Sequence, residues 1–151
     1  MPRWRVVSPS SPPPRVLLVE QSLPFRRVIR EALTAFMHCE VDDASTGEQA
    51  FELGLQRRYA LCLVAYSLPD MHGDLLDRLL AVAAPKVNPG VYSPPPLLYL
   101  LKTEEAQLSQ ELMRSNARVR GTLFMPPRLD ALIKATSGIL PAKMGWQTPG
   151  A

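Results

Sequence analysis

The chain has 151 residues, 46% hydrophobic and 21% charged, a length and balance suited to one globular domain with a full core. The formal charge of +3 is not a nucleic-acid signal: with Arg3, Arg5 and Lys143 set aside, the other 14 basic residues equal the 14 acidic ones. Two cysteines are too few for a disulfide framework, and no apolar run reaches the length of a membrane span.

Residues 1–14 carry five prolines and the stretch SPSSPPP, which cannot bury enough surface to order itself and reads as a disordered leader. Arg3 and Arg5 are followed by serine and proline rather than an apolar h-region, so no signal peptide is read and the cytoplasm is the expected compartment. RVLLVE (15–20) is an apolar run suited to a strand buried on both faces. Ser22 is a candidate N-cap, and Pro24 fits a first helical turn. Phe25, Val28, Ile29, Ala32, Leu33 and Phe36 then recur at helical spacing, with Arg26, Arg27 and Arg30 on the polar face.

HCEVDDA (38–44) reads as a second strand. Ser45 with Glu48 has capping-box spacing and opens a second helix to about residue 56. YALCLVA (59–65) is a third strand, and Gly73 begins a third helix to about residue 84. The stretch APKVNPGVYSPPP (84–96) is long for a turn, with five prolines and Tyr92, and is a candidate docking loop. PPLLYLLK (95–102) is a fourth strand, after which Thr103 is expected to cap a helix with Glu104 and Glu105 in its first turn. GTLFM (121–125) is a fifth strand, and Pro127 is expected to open a last helix. Residues 15–139 form the domain, and 140–151 read as a flexible tail, with Trp146 either packing back or reaching a partner.

Five β-α units imply an α/β, three-layer, doubly wound parallel sheet with helices on both faces. Four segments, in order, resemble the receiver domain of bacterial two-component response regulators: RVLLVEQS, EVDDASTGEQAFEL, YALCLVAYSLPDMHGDLLDRL and GTLFMPP. The resemblance implies a flavodoxin-like sheet of order 2-1-3-4-5. It also implies phosphoryl transfer to an aspartate beyond the third strand, assisted by acidic residues that hold Mg²⁺, a hydroxyl after the fourth strand and a lysine after the fifth.

Position by position, this chain departs from that pattern. The acidic pair falls on Glu20 and Gln21, the phosphoacceptor on Ala65 and the hydroxyl on Leu101, unless a slip brings in Lys102 or Thr103. The lysine falls on Met125, followed by Pro126, and the aromatic of the fifth strand falls on Thr122. Ala65, Leu101 and Met125 are expected to face one another across a dry, filled pocket, since replacing all the charged partners together avoids a buried unpaired charge. Asp70 is a turn residue, and Glu20 alone is a poor Mg²⁺ site. His38, His72 and Cys39 lack metal-site spacing.

The expectation is therefore a pseudo-receiver, not an enzyme, without cofactor or resident metal. It would contact a signalling partner (kinase, effector or scaffold) without phosphorylation and without binding membrane or nucleic acid. Its candidate surfaces are the fourth-helix to fifth-helix face, also a candidate homodimer face, and then Arg26, Arg27 and Arg30. Two rivals remain open: a phosphorelay receiver with a non-standard acceptor, and a small-molecule binder using the same crevice.

Overall fold

Five short strands, three of them almost wholly apolar, pair side by side in a computed structural model that describes residues 12–87 and 94–143. The strands are β1 (Arg15–Val19), β2 (Glu40–Ala44), β3 (Leu61–Ala65), β4 (Leu97–Leu101) and β5 (Val119–Phe124), all parallel, in the order β2-β1-β3-β4-β5. The helices are α1 (Leu23–Phe36), α2 (Gly47–Gln56), α3 (Gly73–Val87), α4 (Ser109–Ser115) and α5 (Leu129–Thr136), with a 3₁₀ helix over Thr103–Leu108.

Side chains alternate across the sheet and so divide the core in two. Val16, Leu18, Leu63, Ala65, Leu98, Leu100 and Leu123 pack with Ile29 and Leu33 of α1 and Leu132 of α5. Leu17, Val19, Cys62, Val64, Tyr99 and Leu101 pack with Ala50 of α2, Leu76 of α3 and Leu112 of α4. This is the three-layer, doubly wound α/β arrangement expected from the β-α repeat.

Several boundaries differ from the sequence expectation. The N-cap of α2 is Thr46, whose hydroxyl accepts the Gln49 N–H at 3.1 Å; both Ser45 and Thr46 satisfy the capping-box spacing, and geometry selects the later one. Thr103 caps nothing. The chain leaves β4 into the 3₁₀ helix with Lys102 at its N-cap, and the Lys102 N–H donates to the Glu105 carboxylate at 2.8 Å. Helix α3 continues through Pro85 to Val87 and absorbs the start of the proline-rich stretch; α5 opens at Leu129, with Arg128 at the N-cap position, two residues beyond the Pro127 expected to open it. Tyr92 and Trp146 lie outside the described residues.

Residues 140–143, expected to begin a flexible tail, pack against the domain. Ala142 pairs antiparallel with Met37, the His38 N–H donates to the Pro141 carbonyl at 2.9 Å, and the Lys143 N–H donates to the Phe36 carbonyl at 3.0 Å. Leu140 and Ala142 are buried. The strap thus closes the carboxyl end of α1 with main-chain bonds, which carry no side-chain pattern for a sequence reading to detect.

Candidate functional site

The carboxyl ends of β1, β3 and β4 open into one crevice at the point where strand order reverses, the usual ligand position in such sheets. Its volume is about 390 Å³. Ala65 closes β3, and register pairs it with Leu100 of β4, so both side chains line the crevice floor with Met125 and Phe25. Beyond Ala65 the chain folds back sharply: the Gly73 N–H donates to the Tyr66 carbonyl, and a Cβ at Gly73 would lie 2.6 Å from the Ala65 carbonyl oxygen. That approach requires glycine.

Leu101 does not face Ala65 and Met125. One residue beyond Leu100, it points to the opposite layer and is fully buried there with Leu112 and Val119. Nor is the pocket filled with apolar side chains. Its rim is polar: Glu20, Gln21, Ser22, Ser67, Lys102 and Glu105. The Glu20 carboxylate accepts the Ser22 N–H at 2.7 Å. Glu105 accepts the Ser67 hydroxyl with one oxygen and the Lys102 N–H with the other, tying the loop after β3 to the loop after β4. Sequence reasoning missed Ser67 and Glu105 as partners; the one available signal was Glu105 three residues after Lys102, at capping-box spacing.

The basic face of α1 is largely occupied by intramolecular contacts. Arg26 bonds Asp43 at 3.0 Å and donates to the Glu20 and Gln21 carbonyls at 2.8 and 3.0 Å, and Arg30 bonds the other Asp43 oxygen at 3.0 Å. Arg27 is exposed and makes no side-chain bond among the described residues. Thr122 exchanges a hydrogen bond of 2.7 Å with Ser109 of α4. The aromatic at that level sits one strand away: Tyr99, the register partner of Thr122, is buried and meets Tyr66 edge-on.

Asp70 spans two loops. Its oxygens accept the Gly47 and Glu48 N–H groups at 2.9 Å each, capping α2 from outside. Burial acts to raise its carboxyl pKa, but the two N–H donors outweigh it and hold the group below the ordinary value. Both thiols are held toward the protonated form: burial, reinforced by Glu40, pushes Cys39 up to about 11, and burial, reinforced by Asp77, pushes Cys62 up to about 12.

The donors do not fit the Mg²⁺ that the resemblance implies. Among the described residues no three His, Cys, Asp or Glu side chains cluster at metal distance, and the crevice floor supplies carbon where a hard cation wants oxygen. Met125 precedes Pro126 through a cis peptide bond at the crevice edge.

The fold is that of the response-regulator receiver domain. Solved structures similar to this chain include the signal receiver domain of an HD domain-containing protein from Pseudomonas fluorescens Pf-5, at 19% identity and TM-score 0.69, covering 85% of this chain and 94% of that one. The receiver domain of AraT, a response regulator from Geobacillus stearothermophilus, is 25% identical with TM-score 0.67, covering 83% and 92%. The chemotaxis response regulator CheY4 of Vibrio cholerae is 22% identical with TM-score 0.63, covering 85% and 100%. No family model and no curated protein matches the sequence. No helix among the described residues is long and apolar enough to cross a membrane.

Proposed function

We propose that this chain is a response-regulator-like signalling module that acts through protein contacts and not through phosphorylation of its own crevice. The observation that carries the reading is Ala65 at the carboxyl end of β3, a methyl group where the resemblance expects the phosphoacceptor. Met125 stands where a lysine would neutralise phosphoryl charge, and Gln21 where a second carboxylate would hold a cation. Phosphoryl transfer depends on positioning and charge, so each replacement removes a named contribution. Asp70, the nearest alternative acceptor in sequence, has both oxygens committed to the α2 cap.

The partner is a kinase, effector or scaffold in a cytoplasmic signalling pathway, and the chain itself is not an enzyme. The contact face is that of α4, β5 and α5, where Met113, Phe124 and Leu129 are each exposed by about half, at 43%, 46% and 51%. The same face serves a homodimer. Direct nucleic-acid binding is not part of the reading, because the folded span is neutral.

Incubation with acetyl phosphate and Mg²⁺ followed by intact mass tests this. The mass is expected to stay unchanged; a phosphoryl gain mapped to an aspartate overturns the reading. One observation favours a second reading, ligand binding in the same crevice: the space is open and rimmed with polar groups rather than filled.

A further inference from the structure

Unlike charges share the crevice without neutralising one another. Glu20, Glu105 and Lys102 all line it, yet none of the three forms an ion pair among the described residues. The two carboxylates are fixed in place rather than free to swing. Glu20 is held by the Ser22 N–H, and its loop is pinned by Arg26 through the Glu20 and Gln21 carbonyls. Glu105 is held by the Ser67 hydroxyl and the Lys102 N–H. The Lys102 ammonium makes no side-chain hydrogen bond among the described residues. Between these groups lies an apolar floor of Ala65, Leu100, Met125 and Phe25.

A ligand for such a site carries both signs of charge and an apolar body. Inorganic phosphate meets two carboxylates and a single ammonium. A bare divalent cation finds carbon beneath it instead of oxygen. A neutral apolar molecule leaves the three charges unused. A zwitterion satisfies both signs at once, its ammonium meeting two carboxylates already held in place and its carboxylate meeting an ammonium that has no other partner among the described residues. The volume of about 390 Å³ lies at the small end of ligand pockets.

We infer that the crevice binds a free α-amino acid with an apolar side chain. The ammonium sits against Glu20 and Glu105, the carboxylate meets Lys102, and the side chain lies over Ala65, Leu100 and Met125. The inference rests on the ligand-binding reading of the crevice and is independent of whether the chain is phosphorylated.

The test is protein-observed NMR titration of the full chain with L-leucine and L-methionine, each up to about 10 mM. Saturable shifts at the amides of Ala65, Lys102 and Ser67 are expected. Isoamylamine and isovalerate, each with one charge and the same body as leucine, are expected to bind at least about tenfold more weakly. Glu20→Gln, which keeps the acceptor for Ser22, and Lys102→Gln are each expected to weaken amino-acid binding about tenfold, with melting temperature as the control for folding. Absence of saturable crevice shifts with both amino acids overturns the inference, as does equal binding of the singly charged analogues. Crevice shifts with phosphate and Mg²⁺ but not with amino acids overturn it too. Failure here shows as missing shifts, whereas failure of phosphorylation independence shows as a mass gain.

Discussion

Glu105 and Ser67, 38 residues apart, are joined side chain to side chain across the top of the sheet. Glu105 also accepts the Lys102 N–H at 2.8 Å, so one carboxylate fixes the loop after β3, the end of β4 and the start of the 3₁₀ helix. Removing it frees the element that leads into α4. Glu105→Ala is expected to cost about 1 kcal/mol, a modest value because Glu105 is partly open to solvent. Hydrogen exchange of residues 102–112 is expected to accelerate while the exchange of β1 and β3 is unchanged. Ser67→Ala in the Glu105→Ala background is expected to add little, since the two share one interaction.

Asp70 caps α2 from another loop, and Asp70→Ala is expected to cost about 1 kcal/mol, with Asp70→Asn costing less because the amide oxygen still accepts. The carboxyl pKa is depressed in the folded chain by the Gly47 and Glu48 N–H groups. Its stabilisation is therefore fully present above the unfolded value, near 3.8, and is lost as pH falls through the lower folded value. Denaturant melts of the wild type and Asp70→Asn are expected to converge as the pH drops below about 4.

Asp77 is buried on α3 and is met by Arg118 at 2.6 Å and Asn116 at 2.9 Å. Arg118 also donates to the Pro95 carbonyl at 3.1 Å, so the network ties α3 to the approaches of β4 and β5. Asp77→Ala leaves a guanidinium without its partner. With the Arg118 side chain 26% exposed, the expected cost is about 2–3 kcal/mol, below that of a fully buried pair. Asp77→Asn is expected to fall between the two, and chemical denaturation ranks all three.

Restoring a carboxylate at the end of β3 is not expected to restore chemistry. Ala65→Asp places a charge beside Leu100 and Met125, with methionine in place of a lysine after β5 and a single acidic side chain, Glu20, beyond β1. Intact mass after acetyl phosphate and Mg²⁺ is expected to stay unchanged, and the melt to show a loss of about 1–3 kcal/mol. Adding Met125→Lys is expected to recover part of that loss by pairing the new charge.

The sequence showed β1, β3, β4 and α1 plainly, because apolar runs mark both faces of those strands and a helical stripe marks the inner face of α1. Leu17 and Leu18 bury in opposite layers of one short run, and Ile29 and Leu33 repeat at the spacing of a turn. The motif positions for Ala65, Met125 and Glu20 were also legible, and the structure brings all three to one crevice. Leu101 was not, because a motif position carries no register. The pairing of Ala65 with Leu100 decides which neighbour faces inward, and only the sheet supplies it. The Glu105–Ser67 contact and the docking of residues 140–143 were invisible for a related reason. Each depends on distant segments meeting, and main-chain or single side-chain contacts leave no periodic trace.

The surface of α4, β5 and α5 offers the sharpest separation of folding from association. Phe124 is 46% and Leu129 51% exposed, so replacing each by serine removes little buried area. The double variant Phe124→Ser, Leu129→Ser is expected to retain the wild-type melting behaviour within about 0.5 kcal/mol per site. If this face is where two copies meet, the wild type sediments with a mass that rises with concentration and the double variant stays monomeric. A wild type that is monomeric throughout removes the homodimer and leaves the face to a different partner. A double variant that still self-associates moves the dimer elsewhere, with the exposed Leu75, Leu79 and Val82 of α3 as the next apolar stripe at helical spacing.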